Sequence, residues 1–162
     1  MSAFSRLSTV NGLLLALYFV PAWTSAALKI VIFPIRGLYD RANIGPAIFF
    51  TDTFHLFALG TVRFAWLLAM MKLLVAAFFA LFALHVARAS IRGTGDGDEA
   101  LSIALGVGAV LSYASMLVAA NVGEAAAQHL HATETLMLIG GLVVLAVDAH
   151  RPIGVREAVA TP

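Results

Sequence analysis

FAWLLAMMKLLVAAFFALFALHVA, residues 64–87, decides the fold. Its one formal charge is Lys72, and Arg63 and Arg88 bracket it. Crossing ~30 Å of hydrocarbon takes about 20 mostly apolar helical residues, and this stretch exceeds that. Too long for a strand and too apolar for a surface helix, it reads as a transmembrane helix.

Working outward, three more segments meet the same criterion. Residues 12–33 form an apolar run interrupted by Pro21, which a membrane bundle tolerates. Residues 100–120 carry no charge at all, and residues 132–149 hold Glu134 and Asp148 near their two ends. The first run follows Arg6 and ends on small residues, as a signal peptide would. It is too long for a cleavable core and reads as a retained helix. The expected fold is all-α: an integral membrane four-helix bundle in a single domain.

Composition agrees. Of 162 residues, 61% are hydrophobic and 12% charged, with a mean hydropathy of +0.94; soluble domains are about a quarter charged. A net charge of +1 without a Lys/Arg run argues against nucleic acid as a partner. The absence of cysteine excludes disulfides, thiolate metal sites and cysteine nucleophiles.

Between the first two spans, GPAIFFTDTFHLFALG is too polar to cross and too aromatic for an ordinary loop. Residues 46–60 are expected to be an interfacial or re-entrant helix, with Thr51 or Asp52 as its cap. The alternative is an outward extension of the second span, bent near Gly60. The loop ASIRGTGDGDEA precedes the third span, the next connection is very short, and residues 152–162 are expected to be a mobile tail. With four spans both termini share a side, and five Arg there against three opposite favour the cytoplasm. The small-residue-rich composition suggests a bacterial inner membrane.

Ala104, Gly108, Ser112, Ser115 and Ala119 fall on one stripe of the third span. Small residues let membrane helices approach closely, so this stripe packs within the monomer or docks another chain. Gly140 and Gly141 supply a thin face on the fourth span. Phe78, Phe79 and Phe82 suit lipid or a partner subunit.

Ionisable residues carry the candidate chemistry. Lys29 can snorkel from the end of its span. Lys72 lies eight residues inside its span, ~12 Å deep, where a lysine costs roughly 3 kcal/mol. It either reaches the surface or pairs with Glu124, Glu134 or Asp52. His55, His129 and His131 group with Asp52, Glu124 and Glu134 at the outer face, and His85 and His150 at the inner face. A haem b would draw on one of those histidine groups. A divalent metal would draw on Asp52, His55, Glu124, His131 and Glu134, since imidazole with carboxylate suits Zn, Cu, Fe or Ni. In one continuous helix His129 and His131 point ~200° apart, so His131 then pairs with Glu134 instead.

Recognised catalytic motifs are absent from the sequence. The leading expectation is therefore a non-catalytic subunit or accessory factor of a larger, bioenergetic membrane complex. Its partners would be the lipid bilayer and other membrane subunits or further copies of the chain. The alternatives are a haem b- or metal-binding protein and a small oligomeric transporter with Lys72 in its pathway.

Overall fold

The computed structural model describes residues 7–32, 41–55, 57–92 and 98–150. Arg6, Arg36, Arg151, Arg156, most of the Gly/Asp loop and the expected mobile tail lie outside the described residues. Five helices follow in order: α1 (Leu7–Ile32), α2 (Arg41–Thr53), α3 (Ala58–Arg92), α4 (Asp98–Val122) and α5 (Ala125–Ala149). The protein is an all-α membrane bundle. Four helices, α1, α3, α4 and α5, are long and apolar enough to cross a bilayer.

Packing runs in a ring: α1 against α3 and α5, and α4 against α3 and α5. The spans begin earlier than hydropathy places them. At one end, the Ser8 backbone N–H donates to the buried Asp148 carboxylate at 2.6 Å, so the last turn of α5 caps the first turn of α1. A carboxylate at a helix N-terminus satisfies an orphan donor and complements the helix dipole. Asp148 is therefore a cap inside the bundle rather than a boundary charge.

At the other end α4 turns into α5 through Gly123 and Glu124. Gly123 has φ +76°. Its N–H donates to the Ala120 carbonyl and that of Glu124 to the Ala119 carbonyl. This is a Schellman termination, which favours glycine at the left-handed position. Gly123→Ala is expected to cost about 1–2 kcal/mol, read as a lower melting temperature in detergent. An unchanged melting temperature would contradict the assignment.

The core corrects the lipid-facing reading of the α3 aromatics. Phe79 and Phe82 are fully buried, Phe79 stacking on Phe19 at 5.5 Å between centroids. They fill hollows left by small residues. A Cβ on Gly12 would lie 2.7 Å from the Phe82 ring, and one on Gly141 2.8 Å from Leu105 and Leu15. Gly140 instead faces open space, so only one of the two α5 glycines makes a thin face. All five residues of the α4 stripe are buried, with Gly108 against Leu138 and Val75.

The connection between the first two spans holds α2 and also extends α3 outward to Ala58. α2 occupies residues 41–53 rather than 46–60, because Pro46 sits inside its second turn instead of opening it. Thr51 and Asp52 consequently lie in its last turn and are not its N-cap. The Thr51 hydroxyl donates back to the Ala47 carbonyl and meets the Thr61 hydroxyl of α3 at 2.9 Å. Ile44 and Ala47 pack into a second core patch with Ala27, Ile30, Ala65 and Ala69. The outward face carries Ile48 and Phe50, followed by exposed Phe54 and Phe57. That pattern suits the headgroup boundary.

Candidate functional site

Ala127, His131, Glu134, Leu138, Gly141 and Asp148 are all buried on α5. Their spacings of four, three, four, three and seven follow one heptad seam. His131 and Glu134 therefore occupy core positions of the bundle, not the water-facing boundary expected of them. Glu134 lies nine residues from the start of α5, ~14 Å along the axis. Trp23 on α1 is nine residues from its end, and Ser112 and Lys72 come to about the same level.

All the spanning helices meet at the Glu134 carboxylate. Trp23 Nε1–H donates to Oε1 at 2.8 Å. Ser112 Oγ–H donates to Oε2 at 3.4 Å, and His131 Nδ1 meets the same oxygen at 2.9 Å. Lys72 of α3 is 6% exposed, and its Nζ lies 5.8 Å from the centre of the Trp23 ring. Its ammonium acts electrostatically on Glu134. Burial of an acid, a base and an ammonium is tolerated only where each is paired or hydrogen-bonded. Here they serve one another.

His131 joins this group to α2. Its Nε2 lies 2.9 Å from the Ala42 carbonyl oxygen. In a regular helix that carbonyl accepts the N–H four residues on, but residue 46 is proline and has none. The proline leaves an acceptor unsatisfied, and the imidazole supplies the donor. A carbonyl can only accept, so Nε2 carries a hydrogen. The short Nδ1 to Oε2 contact then requires one further proton between imidazole and carboxylate. The pair holds that proton either as imidazolium and carboxylate or as neutral imidazole and carboxylic acid. Both forms are net neutral.

The other candidate residues are not gathered here. Asp52 and His55 are exposed at the end of α2, with His55 at φ +51°. His129 is exposed on the opposite side of α5 from His131, as a continuous helix requires, and Glu124 sits in the turn. His85 and His150 are exposed near the other end, His150 Nδ1–H donating to the Ala146 carbonyl at 2.7 Å. Lys29 is exposed one turn from the end of α1. Among the described residues, no three of His, Asp and Glu come together to hold a metal ion. The expected five-residue metal set is thus reduced to His131 with Glu134. A haem or metal ion needs an imidazole lone pair, and both nitrogens of His131 are engaged.

Trp23 and Ala42 belong to the site and were not singled out in the sequence. The available signals were the need of a buried indole N–H for a partner and the carbonyl four residues before Pro46. Comparison with protein-family models, curated proteins and solved structures finds no match.

Proposed function

We propose that the protein is a proton-binding subunit or accessory factor of a larger membrane assembly, with His131 and Glu134 as its working pair and Lys72 beside them. One observation carries this reading: deep in the bundle, the two ring nitrogens of His131 each lie 2.9 Å from an oxygen, one on Glu134 and one on Ala42. Ionisable groups inside membrane bundles mark proton relays and ion paths often enough to make this the default assignment. Proton exchange is also the chemistry these side chains support without a further reactant. The assembly is inferred to lie in a bacterial-type inner membrane with both termini cytoplasmic, on the arginine bias and composition. The pair then belongs to the outer half of the bilayer.

Infrared difference spectra of the protein in lipid at stepped pH test the proton-binding half. A carboxyl or imidazole band that changes with pH is expected, and it should vanish in Glu134→Gln. Spectra without any Glu134-dependent change would remove the reading. Purification in mild detergent tests the other half: a stoichiometric membrane partner is expected, and a lone monomer argues against it.

The buried position of Lys72 favours a second reading, a small transporter with the ammonium on its path. Proton flux into liposomes that is lost in Lys72→Met would support it. Flux of equal size in the variant would end it.

A further inference from the structure

We propose that α2 is a latch whose closure depends on the proton shared by His131 and Glu134, and that loss of this proton releases the N-terminal half of α2 from the bundle. The proposal rests on the proton-binding reading above and concerns how the same site is read out.

The argument is a count of hydrogens. Four atoms lie in a row of contacts: the Ala42 carbonyl oxygen, the two nitrogens of His131, and Glu134 Oε2. Two protons satisfy both contacts. With only one, the imidazole can donate on one side and must present a lone pair on the other, at 2.9 Å from an oxygen. A carboxylate is the stronger acceptor, since bonds to ionised partners are roughly twice as strong as neutral ones. The remaining proton therefore stays on Nδ1, toward Glu134. Nε2 then faces the Ala42 carbonyl with no hydrogen, and the clasp becomes a repulsion.

Among the described residues, no other group facing the pair restores it. From α1 come the Trp23 indole, which already donates to Oε1, and Tyr18, within electrostatic range of Glu134. From α4 comes Ser112, which donates to Oε2. From α3 comes Lys72, whose ammonium lies within electrostatic range of Glu134. Within α5, the Thr135 hydroxyl is turned to the His131 carbonyl. Glu124 borders the groove that separates Ala42 and Pro46 from α4 and α5, and as an acceptor it cannot supply the missing hydrogen.

What remains on α2 is apolar and centred on its far end. Ile44 and Ala47 stay in the second core patch, while Thr51 meets Thr61 and the Phe50 ring stacks on Phe64 at 4.2 Å, both next to α3. The clasp lies at the opposite end of α2 from that hydroxyl contact. Release therefore swings the Ala42 end outward about the Thr51 end.

Pro46 makes the device possible and also provides its control. Pro46→Ala returns an N–H to the Ala42 carbonyl, which no longer needs His131. Glu134→Gln keeps an amide N–H on Nδ1 of a neutral imidazole, so Nε2 keeps its hydrogen toward the Ala42 carbonyl.

The natural chain has no cysteine, so a thiol placed by Ala47→Cys, where the side chain is fully buried, reports opening through alkylation in lipid nanodiscs. Its rate is normalised at each pH to an exposed reference, Thr53→Cys. As pH rises through the titration seen by infrared, normalised labelling is expected to rise roughly three- to tenfold, the loss of one hydrogen bond. In the Pro46→Ala and Glu134→Gln backgrounds it should stay flat. A flat response in the parent while the pair titrates overturns the latch and leaves proton binding standing. So does an undiminished rise in Pro46→Ala. A pair that never exchanges its proton overturns both.

Discussion

Glu134→Ala is expected to destabilise the bundle by about 3–5 kcal/mol, the range for removing one partner of a buried charged group. Trp23, Ser112 and His131 all lose their acceptor, and the Lys72 ammonium loses an electrostatic partner. Unfolding by SDS in mixed micelles measures the loss. Glu134→Gln preserves the indole bond and offers an N–H to His131, so it should lose well under half as much. If alanine and glutamine are equally mild, the carboxylate is not what joins the helices. Trp23→Phe in the Glu134→Ala background should add little, because the bond they share is already gone.

Gly12→Val is expected to cost about 3 kcal/mol, at the upper end for overpacking a filled core. Its Cβ would lie within 2.9 Å of the Phe82 ring and Leu101. Phe82 is 1% exposed and cannot swing aside. In lipid the helices gain little from the hydrophobic effect, so the fit of surfaces carries their association. Phe82→Leu should recover part of the loss in the double variant, measured by the same SDS unfolding. Strictly additive losses would mean that the two residues do not compete for that space.

Much of the architecture is legible because insertion depends on local composition. Runs of apolar residues long enough to cross announce themselves wherever the rest of the chain lies, as residues 64–87 do. Span ends are less legible: Asp148 stretches α1 back to Leu7 by capping it from the other end of the chain. The aromatic face of α3 is ambiguous in sequence for a related reason. Hydrophobicity is the same whether Phe79 meets lipid or Phe19, and only the small residues opposite distinguish the two.

The site was half legible. His131 and Glu134 stand three apart on one helical face, and their pairing follows from the sequence. Their inward direction is also readable in retrospect, because they share the seam of Ala127, Leu138 and Gly141. The rest is not local. Trp23 lies 111 positions from Glu134 and Ala42 lies 89 from His131.

By itself, then, the sequence determined that this chain crosses a membrane four times and that an acid and an imidazole pair on the last span. Lipid selects apolar length, and a helix sets the phase of its own side chains. Tertiary structure alone decided that the pair faces inward, takes Trp23 and Lys72 as companions, and reaches the carbonyl that Pro46 leaves open. Those contacts depend on how helices stack in depth and rotation, and the arrangement found is one in which Trp23, Ser112, His131 and Glu134 satisfy one another.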